Sequence, residues 1–356
     1  MRKLTLLLSL LFFITVLSAC QETPQSPWVR HTQSLTGYFD TQLSLQIHLE
    51  DGVDPEPIFN EVENIYRFIH QIGTRYDGFD GIHNPYFINQ NPNIDHRIEE
   101  DLMAMLVLAK EYYALTDGLF NIALGPVLDV WGDFMTACNE RNVCEIPTQE
   151  ALNQANQKVN IHGIHLNTEA STVRIDPGVS IDLGAIGKGY AARKVGEYLQ
   201  AHPDIKAFLL NAGTSNIEVF GTHPIRESGL WVIGLTDPSA PSFLPSSFAR
   251  ISIASGDKVM TSGDYQRYTL VDGVRYHHII DPRTLQPANT MRAITIVSDD
   301  ALIGDIYATA LFIMTIEEAL AVVEALENTH AIIVALDGTI HTSSNFEETF
   351  LLELTP

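Results

Sequence analysis

The feature that most limits what this chain can fold into is the segment Asp182-Leu183-Gly184-Ala185-Ile186-Gly187-Lys188-Gly189-Tyr190. Strand-like Val179-Ser180-Ile181 leads into it, and the helical-looking run 190–199 follows. Glycines between a strand and a helix start let backbone N–H groups point at an anion, and Lys188 adds a positive charge there. A Walker loop is excluded, because its lysine must be followed by Ser or Thr and here Gly189 follows. The run 187–192 does fit GxGxxA, yet Phe208-Leu209-Leu210 ends in Asn211 where a dinucleotide fold would place an acid. On the residues alone, a structural glycine turn stays open beside an anion cradle.

Charge narrows the ligand. Lys and Arg number 21 against 44 Asp and Glu, a formal net charge of -23, which opposes generic nucleic-acid binding. An anionic ligand needs a local basic pocket. Residues 258–292 supply one candidate, with five Lys or Arg (Lys258, Arg267, Arg275, Arg283, Arg292) against three Asp. The 356 residues, 45% hydrophobic, are enough for one large or two modest domains with sizeable cores.

The first residues have the layout of a secretion signal: Arg2 and Lys3, a mostly apolar run 4–17, then Ser18-Ala19-Cys20. Small residues before a cysteine resemble the bacterial lipoprotein cleavage box, which implies cutting before Cys20 and lipidating it. The apolar run falls short of the roughly 20 residues a spanning helix needs. Residues 21–27, with Pro24 and Pro27, read as a tether. The expected location is extracytoplasmic, anchored to a bacterial membrane through lipid on Cys20. Outside the cytoplasm, Cys138 and Cys144 suit a small loop disulfide, and no CxxC or histidine pair completes a zinc set around them.

The periodicity predicts mixed helix and strand. Ile58, Val62, Ile65, Tyr66, Ile69 and Ile72 recur at helical spacing, as do Leu102, Met105, Leu106, Ala109 and Tyr113, with a stop near Gly118. Short β-rich runs follow at 173–176, 208–211, 217–220, 231–235 and 251–254. Two more, 266–271 and 274–280, meet at Asp272-Gly273, a strong hairpin signal. After a strand at 294–297, Asp299 is expected to cap a helix through Met314, with another helix over 316–326. The expected class is α+β, with antiparallel-rich sheets and two lobes flanking a groove.

A series of motifs then becomes specific. The Asp182–Tyr190 segment resembles the DLGxIxKGY of the FAD:protein FMN transferases, the ApbE family. In order along the chain, Gly118-Leu119-Phe120-Asn121 with Gly125-Pro126 and Trp131-Gly132 is similar to GxFDxxxGPxxxxWG. Leu210-Asn211-Ala212-Gly213-Thr214 resembles the NxGG strand end, Thr261–Tyr265 the TSGDY, and His277–Thr284 the HHIxDPRT. Asp305 with Ala308-Thr309-Ala310 resembles DxxATA, and weaker similarity lies upstream at 37–41 and 74–91.

The resemblance implies a two-lobed, T-fold-like transferase over residues 31–356, behind a signal peptide at 1–19 and a lipidated tether at 20–30. Such enzymes take FAD as substrate, attach FMN by a phosphoester to a threonine or serine of an acceptor flavoprotein, and release AMP. It implies Mg²⁺ held by Asp305, Thr309 and the main-chain carbonyl of Ala185. Asp305 and Thr309, four apart on a helix, share one face. It implies FAD contacts from Asp182, Lys188, Ile279, Leu119, Phe120 and Asn121, with Tyr76 available to stack on the flavin. His278 is the candidate base, since an imidazole accepts a hydroxyl proton near neutral pH. Three departures stand out: Asn121 for the family's frequent aspartate, Thr214 for a glycine, and Leu285 for the glycine of DPRTG. Hydrolysis of FAD to FMN and AMP is the closest alternative, and a flavin-binding lipoprotein the non-enzymatic one.

Overall fold

The computed structural model describes residues 26, 28–213, 215–240 and 246–355. The expected signal peptide, Cys20 and Thr214 lie outside the described residues.

Eight strands form one antiparallel sheet: β1 (Val29–Tyr38), β2 (Thr41–Leu49), β3 (Ala207–Ala212), β4 (Asn216–Phe220), β5 (Lys258–Gly263), β6 (Met291–Ser298), β7 (His330–Ala335) and β8 (Ile340–Thr342). Their order across the sheet is their order in the chain, so each pairs with its chain neighbours. Long connections leave this meander between β2 and β3, β4 and β5, β5 and β6, and β6 and β7. They carry nearly everything else.

Alternation along the strands separates two cores. Phe208, Leu210 and Ala212 of β3, Met260 of β5, Ile294 and Ile296 of β6, and Ile333 of β7 face one side. Ala207, Val259, Val297 and Ile332 face the other. This is the period of two that a strand imposes on its side chains. The first face is covered by helices, α1 (Glu56–Gly73), α2 (Glu100–Leu115), α4 (Gly187–Ala201), α5 (Ala301–Phe312) and α6 (Ile316–Glu324) among them, while α3 (Gly125–Arg141) packs apart from it. Helix α4 packs between α1 and α5, and α5 lies on β5 and β6. The second face is covered by a three-stranded sheet of Trp231–Thr236, Ser247–Ile253 and Glu353–Leu354, which seals Trp231, Ile233 and Ile251 against it.

A third, smaller core joins α3 to the hairpin Tyr268–Val271/Val274–His277. Trp131 donates its indole N–H to the Leu285 carbonyl at 2.8 Å and stacks near Tyr276. Just beyond this core, Cys138 and Cys144 form a disulfide that ties the last turn of α3 to the following loop.

The α+β class and the antiparallel sheets are as expected. The hairpin turns at Asp272 and Gly273, both with positive φ (49° and 82°), as a two-residue primed turn requires. Boundaries moved in several places, two of which change the reading. Asp300, not Asp299, caps α5, accepting from the N–H groups of Leu302 and Ile303. Strand β1 begins at Val29, inside the expected tether, and Trp28 already packs on the second core.

Candidate active site

Asp182 is a structural clamp at the entrance to the glycine segment. Its N–H donates to the Ile122 carbonyl at 2.8 Å, and its Oδ1 accepts the Gly184 N–H at 2.8 Å. Its Oδ2 pairs with Arg75 at 3.0 Å. Arg75, nearly buried, also reaches Asp129 at 2.6 Å and the Ser180 hydroxyl at 3.2 Å. Reading the sequence singled out Asp182 but not Arg75, whose partner is 107 residues away. The only signal was the loose similarity over 74–91.

The neighbouring segment differs from expectation in what its side chains do. Phe120 is 1% exposed and fills the main core, and Leu119 is buried beside it. Burying an aromatic is favourable without a ligand, and here packing takes the ring that was expected to line the flavin. Asn121, partly exposed, accepts the Ala123 N–H at 2.9 Å through Oδ1, which leaves its amide N–H groups for a ligand.

From the clamp the chain turns at 184–186 and enters α4, bringing Lys188 and Gly189 against α5. The Gly189 N–H donates to Oδ2 of Asp305 at 3.0 Å. A β-carbon at Gly189 would sit 2.8 Å from Cβ of Asp305, so only glycine permits this approach. Asp305 is 4% exposed; burial raises its pKa, while Lys188, the Asn216 side chain and the Gly189 N–H act the other way. Burial pushes the Lys188 ammonium down, and Asp305 and Asp40 hold it up. The structure thus brings together Lys188 and Asp305 from opposite ends of the sequence reading. Thr309 gives its hydroxyl proton to the Asp305 carbonyl at 3.1 Å, keeping its lone pairs. Ala185 is partly exposed at the loop. Among the described residues, no group of three or more His, Cys, Asp or Glu side chains is placed to hold a metal.

His278 follows the hairpin. Its Nδ1 lies 3.2 Å from the Arg267 carbonyl. A carbonyl only accepts, so Nδ1 carries the proton and Nε2 keeps its lone pair. Burial, Arg267 and Lys188 hold its pKa well below the usual imidazole range. The residue is only partly buried. The adjacent His277 is different: buried, it donates through Nε2 to Ala288 at 2.7 Å and accepts the Ile279 N–H at Nδ1. It has no lone pair to spare. Ile279 uses its N–H on His277 and its carbonyl on the Ala288 N–H, so it offers a groove mainly packing surface.

The groove opens where β2 begins and β3 ends, between the helical layer and the small sheet. It is a cavity of about 280 Å³, with Lys188, Arg267, Asp40, Gly213, Asp237 and Tyr265 in its walls. Arg267 was anticipated only as one member of the basic 258–292 run; its exposed side chain lines the groove while its carbonyl orients His278. Tyr76 is 71% exposed rather than packed, within 5.9 Å of the Arg75 guanidinium and in electrostatic reach of Arg267. Asp264 of the TSGDY segment, by contrast, is buried between Arg275 and Arg292 at 2.8 Å each. Both arginines also donate to the Pro238 carbonyl, which fastens the groove's outer wall.

The chain and its fold have relatives. A model of the ApbE family matches residues 39–334. An FAD:protein FMN transferase of Klebsiella pneumoniae is 33% identical over 248 residues, spanning 69% of this chain and 73% of that protein. One of Treponema pallidum is 30% identical over 261 residues, 69% of each. Among solved structures, an ApbE protein of Thermotoga maritima superposes with a TM-score of 0.76 at 28% identity, covering 90% of this chain and 99% of that one. The family model spans most of the chain and the relatives align over two thirds of it, so the chain belongs to the ApbE family.

Proposed function

We propose that this chain is an FAD:protein FMN transferase that moves FMN from FAD to a threonine or serine hydroxyl of an extracytoplasmic acceptor flavoprotein and releases AMP. The observation that carries the reading is His278: a neutral imidazole whose tautomer is fixed by the Arg267 carbonyl, within electrostatic reach of Lys188 and Arg267, which line the groove. The names of the Klebsiella and Treponema relatives support the same activity.

The residues divide the work as follows. The acceptor hydroxyl loses its proton to Nε2 of His278 as its oxygen bonds to the FMN phosphorus. The bond from that phosphorus to the bridging oxygen breaks, and AMP leaves with the electron pair. Lys188 and Arg267 offset the phosphate charge, so positioning and electrostatics supply most of the assistance. The Arg75–Asp182 clamp fixes the turn from which Lys188 projects, and Tyr76 offers an exposed ring to the flavin.

A hard cation suits the chemistry of the donors that the family resemblance implies, Asp305, Thr309 and the Ala185 carbonyl. The donors are a buried carboxylate, a threonine oxygen and a main-chain carbonyl, all oxygen, as Mg²⁺ prefers. The Tyr66 hydroxyl, buried and in electrostatic contact with Asp305, has no hydrogen-bond partner among the described residues, so the pocket is underfilled in polar partners. Asp305, Thr309 and the Ala185 carbonyl would hold the ion, which would neutralise phosphate charge. The membrane anchor through lipid on Cys20 belongs to the same proposal.

The test is incubation of the full chain in detergent with FAD, Mg²⁺ and a threonine-bearing acceptor domain. Acceptor fluorescence after denaturation and AMP release are followed together. Covalent flavin on the acceptor is the expected result. AMP with only free FMN means hydrolysis, and intact bound FAD means a binding protein; either overturns transfer.

A further inference from the structure

The turn between β1 and β2 is strained and faces the groove. Tyr38 pairs with Thr41, and the two residues between them, Phe39 and Asp40, both have φ of 52°. Such primed turns favour Asn-Gly, and a bulky residue at positive φ is costly unless its surroundings impose it. Here they do. The Phe39 N–H donates to Nδ1 of His70 at 3.2 Å, and its ring lies 5.1 Å from those of Tyr66 and His70. Held this way, the turn presents the Asp40 carboxylate to the groove, 4.0 Å from the Arg267 guanidinium and within electrostatic reach of Lys188. The carboxylate is 79% exposed, so the pair is a loose one.

A groove with two cations suits a diphosphate, but a carboxylate fixed beside them does not. We propose that Asp40 is a charge filter: it tempers the Lys188–Arg267 pair so that the groove favours FAD, with two phosphate charges, over the more highly charged ADP, ATP or pyrophosphate. The proposal rests on the FAD reading above. Each added ligand charge meets the same carboxylate, so the penalty grows with ligand charge and vanishes for riboflavin, which has none.

The experiment titrates riboflavin, FAD, ADP, ATP and inorganic pyrophosphate into the full chain in detergent, at low ionic strength without divalent ions, by calorimetry. Wild type is compared with Asp40→Asn, which tolerates positive φ, and Asp40→Gly, which relieves it. Both variants are expected to bind riboflavin as wild type does, FAD roughly threefold more tightly, and ATP and pyrophosphate roughly tenfold more tightly. Added salt should shrink these gains. A uniform change across all ligands, including riboflavin, would mean that turn geometry is at work and would overturn the filter. So would unchanged or weaker binding of the anions. If wild type bound pyrophosphate and ATP but no flavin, the functional reading would fail, while the anion series would still decide the role of Asp40. If Asp40→Gly melts early, Asp40→Asn alone carries the comparison.

Discussion

Gly189 and Asp305 meet backbone to carboxylate, the N–H of one donating to Oδ2 of the other at 3.0 Å, with no space for a side chain between them. The contact joins the anion-facing end of α4 to the helix that carries the proposed cation ligands.

Gly189→Ala therefore tests whether that approach is required. The new β-carbon would lie 2.9 Å from Oδ2 of Asp305 and 3.2 Å from the Leu302 backbone, and the backbone cannot swing away. Overpacking of this kind costs about 1–3 kcal/mol. The expected result is a folded protein with a lower melting temperature and at least tenfold lower turnover. Retained wild-type turnover would show that the Asp305 position is not critical.

His278 should act as a base well into mildly acidic solution. Its pKa lies below the ordinary imidazole value, so the ring stays neutral until pH falls beneath it, and the acid limb of the rate profile should lie below about pH 6.5. Arg267→Met removes a cation that lowers this pKa, so the acid limb should move to higher pH. His278→Gln should lose about 10²–10⁴ in turnover. The protonation cost also affects stability: between the folded and unfolded pKa values the unfolded chain binds more protons, so this contribution is lost as pH falls through the folded pKa. Rate profiles of the three proteins decide the matter, and an unmoved limb in Arg267→Met would refute the electrostatic part.

Glu218 predicts the opposite slope. It lies 2% exposed under α4, takes a hydrogen bond from Gln200 at 2.7 Å, and leaves Oε2 without a hydrogen-bond partner among the described residues. Burial raises its pKa to about 7, with Asp300 and Glu197 adding to the rise and Lys258 and Gln200 opposing it. A carboxyl raised in the folded state contributes stability that is complete below its unfolded pKa and lost as pH rises through about 7. Glu218→Gln should melt like wild type near pH 5 and higher near pH 8, by on the order of 2 kcal/mol. Equal melting curves at both pH values would count against a protonated Glu218.

Leu285 sits at φ 63° where a glycine would be at ease, yet its side chain is 3% exposed in the third core. Relief of the backbone in Leu285→Gly is worth about 1–2 kcal/mol, and loss of a buried leucine costs about 2–5 kcal/mol. Packing should win, and the urea midpoint should fall. A rise would mean that strain dominates.

The chemistry-bearing residues were legible in the sequence because each lies in a short contiguous motif: Lys188 after its glycines, His278 before Asp281-Pro282, Asp305 four before Thr309. Strands β2, β5, β7 and β8 were passed over, while β3, β4 and β6 were legible as short β-rich runs. Strand β1 was not, since as an edge strand it buries only Leu35 among its ten residues and shows no apolar rhythm. Arg75 and Asp40, inside stretches of only loose similarity, were not singled out for another reason. One acts through a partner 107 residues distant and the other through a turn whose strain is imposed by His70 and Tyr66. Phe120 shows the reverse case, where a motif is present but the side chain serves packing.

The meander also fixes when a site can exist during synthesis. Asp40, Lys188, Arg267, His278 and Asp305 hang from four different connections, β1–β2, β2–β3, β5–β6 and β6–β7, of a sheet laid down in chain order. A nascent chain emerging from its N-terminus therefore lacks a complete groove until residue 305 has been made, by which point six of the eight strands have been synthesised. Flavin captured in this groove would then stabilise only chains that extend past residue 305, leaving shorter stalled fragments unprotected.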